Sequence, residues 1–259
     1  MKRNNTIVPI LLLLLASQSL ALYKIDYPNF KELKELHYET RLKDSGKVIF
    51  REEVNIALAN FDGQEFLFCS ALSRGKTIRE GEIYRFTKSY YAIDENNRLS
   101  TYAHEVTTSL EGLPYQSFQL DYDWDKNQAS YNFQDLKKKK SISRTITLDQ
   151  QTIFARDTTL LFPSLILNKV REEKIRMVLP TGHIFKVIAA ISYLPEEFTI
   201  GGKKIDCYRI EMKPDFPLLT LIAPKITFWY LAAPPYNFVR YEGPLAGPFS
   251  PTVIQEQVF

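Results

Sequence analysis

The residues and motifs that mark the commonest protein chemistries are scarce or missing in this chain of 259 residues. It has 3 histidines. His37, His104 and His183 lie far apart, in no HExxH and no short metal pair, and spacing supplies no third ligand. They read as surface or edge-strand side chains, and no metal is expected. There is no GxSxG elbow, no P-loop and no GxGxxG, so acyl-hydrolase, NTPase and dinucleotide-binding readings have no local support. No cofactor is expected, no catalytic residue can be nominated, and the chain reads as a non-enzyme. Adjacent acids such as Glu52-Glu53, Glu172-Glu173 and Glu196-Glu197 do not change this, because neighbours in a strand point to opposite faces. An excess of one charge is also missing. Lys and Arg total 33 against 30 Asp and Glu, a net +3 that offers no footprint for nucleic acid. Lys137 to Lys140 is the one dense basic cluster, read as a solvated loop or a charged sheet edge, with contact to an anionic lipid or other anionic surface as the alternative. Cysteine is reduced to Cys69 and Cys207, too distant for a redox CxxC pair. They are either a disulfide joining the two halves of an exported chain or two separate buried thiols.

A long apolar stretch occurs only at the start. Lys2 and Arg3 precede Ile7 to Ala16, which contains the run Leu11 to Leu15, and Ser19-Leu20-Ala21 closes it with small residues at the positions a signal peptidase reads. The stretch is about half of the ~20 residues a membrane-spanning helix needs. Residues 1–21 are expected to be a removed signal peptide. Residues 22–259 are then a single exported, soluble β-rich domain with a proline-rich C-terminal tail and no transmembrane segment. No Cys stands near the cut, so lipid attachment is not expected.

Aromatic residues are abundant: 15 Tyr, 17 Phe and 2 Trp, a bias that favours strands. From Val48 on, Phe50, Val54, Ile56 and Leu58 fall on one face and Lys47, Arg51, Glu53 and Asn55 on the other, the period of a half-buried strand. Asp62-Gly63 turns the chain, and Phe66, Phe68 and Leu72 are read in phase on the next strand. Arg74-Gly75, Asn96-Asn97, Gly112-Leu113-Pro114 and Lys126-Asn127 divide the remainder of the first half into a long meander. Asp121 to Asp125 resembles the opening of a calcium loop, but Lys126 replaces its glycine and Asn132 its glutamate, so the segment is read as a strand with Tyr122 and Trp124 inward. Asp157-Thr158-Thr159 offers a helix N-cap before Leu160, Leu161, Leu165, Ile166 and Leu167, a stretch apolar nearly all round and hence expected inside the concave face of the sheet. A short helix is also expected over Pro28–Leu36. Shorter strands come after the Leu-rich helix.

Within the second half, Leu160–Leu167, Leu179-Pro180-Thr181-Gly182, the run Gly201 to Arg209, Thr227-Phe228-Trp229-Tyr230 and the run Pro234 to Gly243 resemble an uncharacterised family of exported bacterial proteins, a domain of unknown function. That family is similar to the periplasmic lipoprotein carriers LolA and LolB. Over residues 36–243 the resemblance implies a mainly β fold: a long antiparallel meander forming a curved, unclosed barrel around one or two helices. It also implies the periplasm of a Gram-negative bacterium.

A curved sheet closed by an apolar helix is either a packed core or a cavity for an acyl chain. The expected function is binding or carrying an apolar ligand, a lipid or a lipoprotein acyl chain, by a monomer, with Phe50, Val54, Phe66, Phe68, Leu161 and Leu165 lining the site and Trp229 near its mouth. The alternative is a non-enzymatic envelope module with a packed core and a protein partner, contacting it through the tail from Pro234.

Overall fold

Period-two alternation continued over a dozen residues produces long strands, and here it produces one sheet. The computed structural model describes residues 25–26, 35–61, 63–77, 81–94, 98–149, 151–216, 223–245 and 250–258. The signal segment and residues 28–34 of the expected first helix lie outside these. Leu36, its expected last residue, opens a strand instead.

After β1 (Ile25–Asp26) come β2 (Leu36–Leu42), β3 (Val48–Phe61), β4 (Gln64–Thr77), β5 (Gly81–Ile93), β6 (Arg98–Leu110), β7 (Leu113–Asp123), β8 (Gln128–Asp135) and β9 (Lys140–Thr147), then β10 (Thr152–Phe154). A 3-10 turn, Ala155–Asp157, leads into α1 (Thr158–Leu167). The second half is β11 (Glu172–Val178), β12 (Ile184–Ile200), β13 (Lys203–Pro214), β14 (Ile226–Leu231), β15 (Phe238–Pro244) and β16 (Thr252–Val258). The strand order is β10-β11-β12-β13-β14-β15-β16-β2-β3-β4-β5-β6-β7-β8-β9, with β1 beside β6. The two halves are therefore joined through β16 and β2. The sheet curves but its end strands β9 and β10 do not pair, so this is the unclosed barrel expected from the resemblance.

Side chains finish the closure that the ladder leaves open. Phe154 from the β10 edge packs on Phe118 of β7 with ring centres 5.4 Å apart. The Tyr131 hydroxyl of β8 donates to the Pro180 carbonyl at 2.8 Å, and Arg176 of β11 pairs with Asp149, just beyond β9.

The helix lies in the concavity. Leu160, Leu161, Phe162, Leu165 and Ile166 are buried against Leu67, Tyr91 and Leu99 from the first half and against Ile175, Ile210, Phe228 and Tyr230 from the second. A helix apolar all round needs cover on every side, and a sheet wrapped round it provides that. Each such side chain contributes roughly 1.5–3 kcal/mol on burial. Pro163 sits inside the helix, not at its start.

Two expectations about the strands are corrected. Arg74-Gly75 is not a turn; β4 runs through it to Thr77. Gly75 faces Phe50, and a Cβ there would overlap the Ile49 carbonyl and the Phe50 ring, so this glycine permits a close strand approach beside the β2–β3 bulge. The C-terminal segment is not a loose tail. Thr252–Val258 forms β16, hydrogen-bonded to β15 on one side and β2 on the other, despite the prolines before it. Lys137 to Lys139 fall in the β8–β9 turn, and Lys140 opens β9, at the sheet edge, as the charge run suggested.

Candidate functional site

Strand register decides which of the expected lining residues face the helix. Phe61 pairs with Gln64, Ala57 with Phe68 and Val54 with Ala71. Even-numbered residues of β3 thus share a face with odd-numbered residues of β4. Phe50, Val54 and Ile56 face inward with Ala71, Cys69 and Leu67, while Phe66 and Phe68 point outward. There Phe66 packs on Tyr102 at 5.3 Å and Phe68 on Tyr90 at 5.2 Å. Phe66 and Phe68 are therefore removed from the expected lining.

Trp229 is corrected in the same way. Its neighbours Phe228 and Tyr230 take the inward positions, and the indole lies on the outer face with Ile200, Cys207 and Val239. It donates to Glu196 Oε2 at 2.9 Å, and the Arg240 guanidinium stacks over it at 5.4 Å. Leu161 and Leu165 are 1% and 5% exposed, which makes them core positions. Cys69 packs against the inner core, Cys207 belongs to the outer cluster, and both thiols are free, so no disulfide joins them. Burial, with Asp157 nearby for Cys69, pushes both thiols upward, Cys207 to about 12.

The residues with chemistry that converge are ones no motif in the sequence singles out. Tyr91 and Ser89 on β5, Thr101 and His104 on β6, and Asp157 at the head of α1 meet on the concave face. His104 is fully buried on a central strand, not at a surface or edge as expected. Asp157 Oδ1 accepts from the Tyr91 hydroxyl at 2.8 Å. Its Oδ2 accepts from the Phe154 N–H at 2.9 Å and from the Thr101 hydroxyl at 3.3 Å. His104 Nε2 lies 3.1 Å from Asp157 Oδ1 but is not aligned on it, so the two are close without a directed hydrogen bond. His104 Nδ1 and Ser89 Oγ are hydrogen-bonded at 2.9 Å, with the direction set by the ring's tautomer. Burial, and then the Asp157 charge, hold the Tyr91 and Tyr122 hydroxyls well above the usual tyrosine range.

Ser89, His104 and Asp157 are the residue types of a hydrolytic triad, but their surroundings give them another task. The rings of Phe154, Tyr122 and Tyr91 stand 4.6, 5.9 and 6.0 Å from the imidazole. Ser89 is 5% exposed, and its oxygen is engaged with the ring nitrogen. The cluster ties the start of α1 to β5 and β6, which fixes where the helix enters the concavity. A polar phase within an otherwise apolar face (Arg85, Thr87 and Ser89 in step with Tyr91) is the sequence signal that could have located it.

Toward the other end of the same face, the wall turns polar and opens. Glu52 of β3 accepts from Ser73 of β4 at 2.5 Å. Arg85 pairs with Ser73 on one side and Thr108 on the other, and so faces inward. It is exposed, yet surrounded by protein on the concave side. That crowding and the neighbouring Arg156 lower its guanidinium to about 10, with Glu52 opposing. Among the described residues no acid lies within ion-pair distance of Arg85 or Arg156. Two depressions, of about 220 and 680 Å³, are on the outer face, the first over β6–β8 (Glu105, Ser117, Gln119, Asn132) and the second beside the β4–β5 and β6–β7 turns (Glu82, Tyr84, Glu111). Neither involves an expected lining residue.

No family description matches the chain, and no curated protein matches it in sequence. The fold is nonetheless a known one. The structure resembles the β-barrel-like protein of the domain of unknown function DUF1849 from Brucella abortus, with TM-score 0.51 and 6% identity over 87% of this chain and 95% of that one. A protein of the DUF1089 family from Pseudomonas aeruginosa matches at TM-score 0.36 and 10% identity, over 76% and 91%. The hypothetical lipoprotein YmcC from Escherichia coli matches at 0.26 and 10%, over 86% of each chain. The Brucella protein establishes the shared architecture, an uncharacterised barrel-like fold, and at this identity nothing further.

Proposed function

We propose that this chain is an exported periplasmic protein that binds an apolar chain, such as a lipid or lipoprotein acyl group, along the inner side of β3. One observation carries the reading. Across most of the concave face the apolar side chains are sealed under α1, with Leu67, Leu99 and Ile210 at 0% exposure. Along β3, in contrast, Phe50, Val54 and Ile56 are only half-buried and Leu58 is 40% exposed, all on the inward face. The strip has the apolar walls that ligand sites favour. The ligand would therefore lie beside the helix and not in place of it. Export rests on the composition of residues 1–21, and the likeness to carriers is one of fold.

The packing of α1 equally favours the alternative, an envelope interaction module with a packed core and no ligand. One experiment separates the two. Protein comprising residues 22–259 is purified from a bacterial periplasm without detergent, extracted with organic solvent and compared by mass spectrometry with an unrelated periplasmic protein. An acyl-bearing species near one per protein supports the binding reading. Extracts no richer than the control support the packed module and remove the ligand.

A further inference from the structure

The apolar strip of β3 does not run uninterrupted. Between Phe50 and Val54 the inward position belongs to Glu52, and across β4 from it stands Arg85 of β5. Arg156, two residues before α1, approaches from the helix side closely enough to repel Arg85. The Arg85 guanidinium therefore has Arg156 as a like charge and Glu52 as an opposing one, and no ion pair among the described residues neutralises either arginine. Such an arrangement opposes folding unless the cations remain hydrated or acquire a counter-charge. A further group points the same way. Thr87, next inward from Arg85 on the same face, is 3% exposed, and its hydroxyl has no hydrogen-bond partner among the described residues. A buried hydroxyl without a partner is a cost that a bound oxygen would remove.

We infer that the ligand of the β3 strip is an anionic amphiphile whose carboxylate or phosphate head sits between Arg85 and Arg156, with Thr87 within reach, and whose chain runs along Val54, Ile56 and Leu58. Arginine suits this role because its planar fork meets both oxygens of such a head. Glu52 limits the positive charge and, by its place beside Phe50, turns the head away from the strip's outer end. This inference rests on the proposed acyl-binding function and adds the head-group chemistry to it.

The test compares hexadecanoic acid with hexadecanol, each displacing the fluorescent probe N-phenyl-naphthylamine from the full mature chain at neutral pH. The acid is expected to bind at least about tenfold more tightly, the worth of one charged hydrogen-bonding contact. R85Q and R156Q should each erase most of that preference without weakening the alcohol, and E52Q should increase it. Both arginines have exposed or half-exposed side chains, so their variants are expected to fold, and the acid–alcohol ratio in the unmodified chain needs no variant at all. Equal affinities for acid and alcohol would overturn the anionic head while leaving the acyl-binding function intact. Binding of neither would remove that function and this inference together. A thermal shift with inorganic phosphate that depends on Arg85, without preference for the acid, would overturn the amphiphile in favour of a small free anion.

Discussion

Replacing Asp157 provides a graded test of the buried polar cluster. In D157A the Tyr91 hydroxyl, the Thr101 hydroxyl, the Phe154 N–H and His104 Nε2 all lose the same carboxylate, at residues that are 0–4% exposed. Breaking a buried pair by removing one partner costs about 3–5 kcal/mol, and each stranded donor adds to that until the site relaxes. We expect D157A to lose about 4 kcal/mol, which for a domain of this size lowers the thermal midpoint by roughly 8–16 °C. D157N should lose less, about 1.5 kcal/mol. Its amide oxygen can keep the Phe154 N–H and Thr101 while its NH₂ faces a hydroxyl that can rotate to accept and a ring nitrogen that can change tautomer. Urea denaturation followed by far-UV circular dichroism measures both. A loss below about 1 kcal/mol for D157A, or a larger loss for D157N than for D157A, would refute the described hydrogen bonding.

Other perturbations test the same packing. Tyr91, Tyr122 and Tyr230 are held neutral by burial, so as pH rises past the ordinary tyrosine range the unfolded chain releases protons the folded one keeps, and stability should fall by about 1.4 kcal/mol per pH unit per group above pH ~10; a urea midpoint unchanged up to pH ~11 would contradict it. G75A should cost at least about 1–3 kcal/mol, because its methyl meets backbone at Ile49 as well as the Phe50 ring; calorimetry showing an unchanged midpoint would mean β3 and β4 are not so close. F162A, at a position 0% exposed, should lose about 3–5 kcal/mol, whereas L58A, 40% exposed, should lose less than about 1 kcal/mol in the same titration. A chain ending before Thr252 removes β16 from between β15 and β2 and is expected not to fold, judged by the loss of amide dispersion in NMR spectra.

The architecture is open to reading because long strands advertise themselves by alternation and α1 by an unbroken apolar run. The inward and outward assignment on β4 is where alternation misleads, although the Asp62-Gly63 turn signal in the sequence contains the answer. Phe61 pairs with Gln64, which reverses the phase between the hydrophobic sets of the two strands. On β14 no alternation could help, since Thr227, Phe228, Trp229 and Tyr230 are all buried and the two faces are both covered. The place of Asp157 at the N-cap position is legible, but its carboxylate makes no capping hydrogen bond to α1, and its actual partners are not legible. Tyr91 and Thr101 lie 66 and 56 residues away in sequence, and only the strand order brings them together. Polar residues on a core-facing phase are where local pattern and global fold disagree, and such disagreements are where sites and structural nodes are found.

The central claim, a chain-binding strip on the inner side of β3, is tested most directly by adding spin-labelled stearic acid to methyl-labelled protein and recording which resonances broaden. The account predicts broadening of the Val54, Ile56 and Leu58 methyls, with those of the outer-face residues Val239 and Ile200 unaffected. Unchanged β3 methyls, or broadening confined to the outer face, would contradict it.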